Sequence, residues 1–198
     1  MNFDVILFDD FEILDAMGPV EVIGCLKKFS EKFYNINFYS QNGGLITSSQ
    51  QTQIETKPFS EIEDIHTILI PGGMGIRKEV GNTQLIELIK DISIKAEYVL
   101  TVCTGSALLA KTGLLDGLKA TSNKMSFDWV AEQRREVEWQ RKARWVTDVK
   151  YYTSSGISAG TDMTLGFVND TMGEKTARIT AKIMEYVWNP DKDNDPFC

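Results

Sequence analysis

Histidine is almost missing from this chain of 198 residues, which contains only His66. Ser-His-Asp triads and Cys-His dyads use an imidazole as the general base, so only one residue is available for that role. His66 begins an apolar stretch and stands well before the next glycine-rich turn, at the wrong end of a strand for a ligand site. We therefore predict a structural role for it and a narrow choice of catalytic bases.

Cysteine is also scarce, because the chain has only Cys25, Cys103 and Cys198. The number is odd and no two of them form a Cys-x-x-Cys pair. We therefore expect neither disulfide bonds nor a zinc site. No other cluster of ligand residues stands out, so no metal or organic cofactor is expected.

Excess positive charge and long apolar runs are both lacking. The formal net charge is -7, whereas binding to nucleic acid needs clustered Lys and Arg. The basic stretch 134–144 is interrupted by Glu136 and Glu138, as is typical of a solvated surface. No segment approaches the roughly 18 apolar residues of a membrane span, and no basic leader precedes the first strand. We expect a cytoplasmic protein without nucleic-acid or membrane partners.

Apolar segments alternate with helical patterns along the whole chain, which predicts one domain over residues 1–198. Buried strands are predicted at 4–9, 35–40, 66–70 and 98–102. Helices are predicted at about 18–29, 85–92, 107–111, 127–137, 161–172 and 174–188. A hairpin at 45–54 and a strand pair at 144–147 and 150–153 add antiparallel pairing. The fold class is therefore α/β, a doubly wound, mostly parallel sheet sandwiched by helices with a small antiparallel extension.

Three turns rich in small residues follow predicted strands, at 71–75, 103–106 and 155–160. Such turns hold ligand sites in doubly wound sheets. Cys103 stands at one of them, where exposure and the positive end of a helix favour a thiolate. We expect the N–H groups of Thr104 and of Gly72 and Gly73 to converge as donors for a developing oxyanion or imidate. The alternative is that Cys103 is a small buried residue, as free cysteines usually are.

Several motifs resemble the ThiJ/PfpI family of the class I glutamine amidotransferase-like superfamily, and within it the isonitrile hydratase-like branch. They are Val102–Gly117, Ala120–Asn123, Leu69–Gly73, Phe127–Trp129, Arg144-Trp145 and Tyr152–Asp162. The resemblance implies a flavodoxin-like α/β fold, usually dimeric, with Cys103 as the nucleophile at a sharp turn. It also implies that Gly73 and Thr104 amides surround Cys103 and that Asp15, in the motif Leu14–Pro19, contacts the cysteine.

Departures from other branches of the family narrow the function. Peptidase-like members carry a histidine directly after the cysteine, where this chain has Thr104. Deglycase and glyoxalase-like members use a glutamate near the N-terminus, and Glu12 and Glu21 lie outside the motif position that Asp15 occupies. This chain therefore lacks a catalytic residue of the peptidase-like members and one of the deglycase and glyoxalase-like members.

The resemblance suggests an enzyme that hydrates a small isonitrile to an N-substituted formamide through a thioimidate on Cys103, with Asp15 moving the proton. The alternatives are a redox or stress sensor in which Cys103 is oxidised to a sulfinate, another activity of the family, or a ligand-sensing domain. The resemblance also implies a homodimer. The Thr104 hydroxyl is expected to contact substrate or cap the following helix. Ser158 and Asp162 are expected to cap a helix, and the alternative is that they line the pocket.

Overall fold

The alternating pattern is realised as ten β-strands and seven α-helices in a computed structural model that describes residues 1–198. The strands are β1 Asn2–Ile6, β2 Asn35–Ser40, β3 Asn42–Thr47, β4 Gln53–Pro58, β5 Thr67–Ile70, β6 Tyr98–Thr101, β7 Lys119–Ala120, β8 Glu138–Trp139, β9 Trp145–Asp148 and β10 Tyr151–Ser154. The helices are α1 Ile13–Cys25, α2 Ile76–Glu79, α3 Thr83–Lys95, α4 Gly105–Lys111, α5 Phe127–Gln133, α6 Ala159–Met172 and α7 Glu174–Ile183.

Eight strands form one sheet in the order β3-β4-β2-β1-β5-β6-β10-β9, and β7 pairs with β8 separately. The inner pairings are all parallel. The antiparallel pairs β3–β4 and β9–β10 lie at the two edges. The predicted α/β fold class is confirmed, with antiparallel extensions at both edges of the sheet.

Strand register brings three of the small-residue turns together. Ile70 of β5 is opposite Thr101 of β6, and Thr101 is opposite Thr153 of β10. Because these strands are parallel, the turns that follow them leave the sheet at the same edge. The turns after β5, β6 and β10 therefore lie side by side and define one candidate site.

The core forms on the central strands because their residues are apolar on both faces. All four residues of β5 are buried, and Val99 and Leu100 of β6 are fully buried. The helices form two contacting groups that flank the sheet: α1 with α6 and α7, and α4 with α2, α3 and α5. None of the helices is both long enough and apolar enough to cross a lipid bilayer.

Helix α1 begins at Ile13, five residues before the predicted start, so Pro19 lies inside the helix and not in its first turn. Proline in a helix interior costs about 3 kcal/mol because it removes a backbone hydrogen bond. Close packing against α6 compensates: a Cβ added to Gly18 would lie 2.6 Å from Thr161 Oγ1. The prediction placed Pro19 correctly in a helix but misplaced the helix boundary.

Other boundaries also differ from the prediction, among them the ends of β1 at Ile6 and of α1 at Cys25, which come before the predicted ends at 9 and 29. Helix α5 ends at Gln133 and α7 at Ile183, and both are shorter than predicted. The sequence also favours the end of a strand at 120–123, but only Ala120 lies in a strand, β7. Residues 121–123 form a loop that Thr121 N fixes by donating to Thr153 Oγ1 at 2.9 Å. This loop carries Asn123 towards the turns at the carboxyl edge of the sheet.

Candidate active site

Cys103 occupies the turn between β6 and α4 with a left-handed backbone, φ +57°. Such a conformation costs on the order of 1–3 kcal/mol for a residue with a side chain and persists only where the surroundings fix it. Here Cys103 N donates to Ser155 O at 3.2 Å, and Ser122 Oγ donates to Cys103 O at 2.8 Å. Gly105 permits the turn, since a Cβ there would lie 2.3 Å from Ile70 O. The strained turn is therefore held from three neighbouring segments.

Asp15 lies in the first turn of α1 with its side chain fully buried. Its Oδ2 accepts a hydrogen bond from Gly72 N at 3.0 Å, and Oδ1 has no hydrogen-bond partner. Burial raises the pKa of Asp15 to about 7, and the hydrogen bond from the Gly72 amide opposes part of that rise. The structure thus brings Asp15 and Cys103 together as the resemblance implied.

The Cys103 thiol is harder to ionise than its position in the sequence indicated. Burial raises its pKa to about 12, and the nearby charge of Asp15 adds to the rise. Hydrogen bonds from the amides of Thr104 and Ile157 and from the side chain of Asn123 oppose it only in part. The prediction of a resting thiolate is therefore wrong, because desolvation outweighs the field of the short helix α4.

The amides of Gly72 and Gly73 have other partners than the predicted oxyanion or imidate. The Gly72 amide donates to Asp15, and the Gly73 amide donates to Thr104 Oγ1 at 3.2 Å. Neither is therefore aimed at the reacting sulfur. A Cβ on Gly72 would lie 2.6 Å from Thr104 N and 2.9 Å from Asp15 Oδ2. Glycine is required there because α1 and the Cys103 turn meet at that point.

Thr104 contributes its amide to the Cys103 sulfur, as expected, but its hydroxyl has a different role. The hydroxyl bonds to the backbone of Gly73 and makes no capping hydrogen bond to α4. The capping alternative for Thr104 is therefore wrong. The hydroxyl links the turn after β5 to the turn after β6.

Asn123 and Ile157 are donors that the sequence analysis missed. Ser126 N donates to Asn123 Oδ1 at 3.0 Å, which leaves the amide nitrogen of Asn123 as the donor to Cys103. A Cβ on Gly156 would lie 2.3 Å from that nitrogen, so glycine makes room for it. Ile157, with φ +39°, presents its backbone N–H. Asn123 ends one of the quoted motifs, whereas a backbone donor leaves no side-chain signal in the sequence.

An open cleft of about 370 Å³ adjoins these donors. Its lining consists of residues 123–125, 155–158 and Phe197. Met125 and Phe197 are 98% and 76% exposed, so the mouth of the cleft is apolar. Its volume is at the lower end of the range of small-molecule sites, and we expect a compact ligand.

The sequence analysis also considered His66, Asp162 and Ser158, and the structure gives each of them a different set of contacts. His66 lies at the amino end of β5, where its Nε2 contacts Glu97 at 3.2 Å, so its role is structural. Asp162 is buried and accepts two hydrogen bonds from Arg144, at 2.8 and 2.6 Å. Ser158 makes no capping hydrogen bond and instead lines the cleft. For Ser158 the capping prediction is wrong and the pocket-lining alternative is confirmed, whereas Asp162 lies outside the cleft lining and anchors an ion pair with Arg144.

The fold and site define an α/β protein with a buried cysteine on a strand-to-helix turn, in contact with a buried carboxyl group. Residues 5–170 match the DJ-1/PfpI family, and the chain belongs to that family. No group of three or more His, Cys, Asp or Glu side chains is placed to hold a metal ion.

Similarity extends to proteins of different function. The chain is 29% identical to the isonitrile hydratase of Pseudomonas putida over 98% of this chain and 82% of that protein. It is 24% identical to the transcriptional regulator GbdR of Pseudomonas aeruginosa over 91% of this chain and 49% of the regulator. A crystal structure of a ThiJ/PfpI family protein from Pseudomonas syringae superposes with a TM-score of 0.83 at 25% identity, covering 96% of this chain and 76% of the other.

Proposed function

We propose that this protein hydrates a small isonitrile to an N-substituted formamide, with Cys103 as the nucleophile and Asp15 as the proton carrier. The close approach of the buried Asp15 carboxyl to the Cys103 turn carries the proposal: a Cβ on Gly72 would lie 2.9 Å from Asp15 Oδ2 and 2.6 Å from Thr104 N. Similarity to the isonitrile hydratase of Pseudomonas putida over almost the whole chain supports the choice of substrate.

The first half of the reaction forms a thioimidate. Asp15 takes the thiol proton while Cys103 Sγ bonds to the terminal carbon of the isonitrile, and the proton is then delivered to that carbon. The product is R–N=CH–S–Cys103, in which no atom has been lost. The donors around the sulfur, from Thr104, Ile157 and Asn123, stabilise the negative charge that develops as the proton leaves.

The second half consumes water. Asp15 removes a proton from water, whose oxygen adds to the thioimidate carbon, and the nitrogen is protonated. The C–S bond then breaks, the sulfur regains its proton, and R–NH–CHO leaves. The sum is one isonitrile and one water for one formamide, so neither a redox partner nor a cofactor is consumed.

The raised pKa values suit this cycle. A general base works best when its pKa is close to the working pH, and that of Asp15 is raised to about 7. The thiol, with a pKa raised to about 12, carries its proton at rest. We therefore expect deprotonation to accompany substrate binding and C–S bond formation.

Formamide production from a simple isonitrile tests the proposal. Wild type is expected to turn over, whereas Cys103→Ala and Asp15→Asn are expected to lose at least about 100-fold in kcat. Cys198→Ala and Asp91→Asn are matched controls on exposed residues and should keep wild-type rates. Full activity in Cys103→Ala would rule out the mechanism.

Oxidation of Cys103 is the second candidate function. The three donors that face the sulfur would also bind the oxygens of a sulfinate, although the raised pKa of the thiol slows its reaction with peroxide. Titration with hydrogen peroxide, followed by intact mass, separates the two functions. Selective gain of oxygen at Cys103 without isonitrile turnover would favour a sensor, and isonitrile binding without either reaction would favour ligand sensing.

A further inference from the structure

The segment 189–198, here called the C-terminal strap, returns to the candidate site after α7. Arg144 N donates to Lys192 O and Asp195 N donates to Lys142 O, both at 2.7 Å. The Asp195 side chain is fully buried, with Oδ2 3.9 Å from Arg144 Nη1. These contacts fix the strap against the segment that precedes β9.

Arg144 connects the strap to the turn that lines the cleft. Its guanidinium donates twice to Asp162 near the start of α6, directly after the turn that contains Ile157. Asp195 in turn fixes the end of the strap, because its Oδ1 accepts from Phe197 N at 2.9 Å. The position of Phe197 is therefore set by buried polar contacts and not by packing of its own ring.

Phe197 lines the cleft while its ring remains 76% exposed. The fixed backbone keeps this large apolar ring exposed to water. Binding of a ligand that covers the ring is favourable, because it removes apolar surface from water. Met125 and Ile157 are the other apolar residues of the lining, and Ser155 of the lining accepts a hydrogen bond from Cys103 N at 3.2 Å. The apolar side chains thus lie beside the reacting centre, where the substituent of a bound substrate would extend.

The geometry points to Phe197 as a specificity-determining residue that contacts the apolar N-substituent of the substrate. The substrate class rests on the proposed function. The contact between Phe197 and an apolar group bound next to Cys103 is independent of that function. In the reaction above the isonitrile carbon bonds to sulfur, so the substituent on its nitrogen extends away from Cys103. The strap therefore selects substrates that carry a compact apolar group on nitrogen.

Steady-state kinetics test this contact with two substrates. We expect Phe197→Ala to lower kcat/KM for cyclohexyl isonitrile by roughly tenfold or more, the low end of what an apolar pocket contact contributes, and to leave methyl isonitrile within about twofold. Phe197→Leu should restore part of the loss. Val187→Ala is the matched control, since Val187 is a 91% exposed apolar residue outside the cleft lining.

Alkylation of Cys103 provides a readout that does not need turnover. Rates with iodoacetamide and N-cyclohexyl iodoacetamide are measured on the Cys103 peptide by mass spectrometry, because Cys25 and Cys198 are also free. Wild type and Val187→Ala should favour the cyclohexyl reagent, and Phe197→Ala should lose that preference by roughly tenfold. Loss of the preference without any isonitrile turnover would support the role of Phe197 while refuting the proposed function. An unchanged preference in Phe197→Ala, or no labelling of Cys103 by either reagent, would overturn the inference.

Discussion

The buried carboxyl group of Asp15 lies beside the Cys103 thiol, whose pKa is raised first by burial and then by the negative charge of Asp15. The two groups come from the first turn of α1 and from the turn after β6. Each therefore titrates in the presence of the other, and the pair holds the proton that the proposed reaction moves.

The first prediction concerns catalysis as a function of pH. Because the carboxylate form of Asp15 accepts the thiol proton, kcat should rise with pH through an apparent pKa of about 7, the value to which burial raises Asp15. The apparent value belongs to the pair and not to one residue. The rate of formamide release from pH 5 to 9 measures it, and a rate that falls as the pH rises through 7 would contradict the role of Asp15 as a base.

The second prediction concerns stability as a function of pH. The pKa of Asp15 rises on folding from 3.8 to about 7, so the native state binds the proton more tightly than the unfolded chain. The resulting stabilisation is complete below about pH 4 and is lost as the pH rises through about 7, with a full size on the order of 4 kcal/mol.

Urea unfolding at pH 4.5 and pH 8 measures this contribution. The free energy of unfolding of wild type should fall relative to Asp15→Asn as the pH is raised, because the amide does not ionise. Asp91→Asn, on an exposed residue of α3, should follow wild type at both pH values. Parallel pH dependence in wild type and Asp15→Asn would show that Asp15 titrates normally.

The third prediction concerns Gly72. Alanine at this position would place its Cβ 2.6 Å from Thr104 N and 2.9 Å from Asp15 Oδ2, so α1 and the Cys103 turn must separate. We expect kcat to fall by about 100-fold, as misplacement of reacting groups by about 1 Å does. Gly24→Ala is the control, since its nearest contact would be 3.8 Å away, and it should retain wild-type kcat. Wild-type activity in Gly72→Ala would show that the close approach is not needed.

The fourth prediction concerns the ion pair that holds the C-terminal strap. Arg144→Met would leave the carboxylates of Asp162 and Asp195 buried without their cation, which costs about 3–5 kcal/mol of unfolding free energy. Arg178→Met removes an exposed pair with Glu174 and should change stability by less than about 1 kcal/mol. Denaturant titration of both variants measures the change in the free energy of unfolding. Equally small changes in the two variants would contradict a structural role for Arg144.

The sequence was informative where a pattern depends on local apolarity. Strands β5 and β6 were predicted almost to their ends because continuous apolar runs mark strands buried on both faces. The start of α1 was predicted five residues too late, because proline is favoured in the first turn of a helix, whereas Pro19 lies inside α1. Gly18 beside it packs closely against Thr161 of α6, a tertiary contact that no local pattern encodes.

The sequence indicated the main residues of the site, but it did not indicate the pKa of the Cys103 thiol. The positions of Cys103 and Asp15 came from motifs, while the raised thiol pKa depends on how deeply both are buried. The amides of Gly72 and Gly73, predicted as donors to an oxyanion or imidate, already bond to Asp15 and Thr104, and the sequence did not indicate Asn123 and Ile157 as donors to the sulfur. Such competition for hydrogen bonds becomes visible only in three dimensions.

A double-mutant cycle tests most directly whether Asp15 and Cys103 act as one unit. Formamide release is measured for wild type, Asp15→Asn, Cys103→Ala and the double variant, at equal pH and substrate. If one shared proton carries the reaction, either single change removes nearly the whole effect and the double variant loses no more than the worse single one. Losses that multiply in the double variant would show that the two residues act independently and would contradict the account.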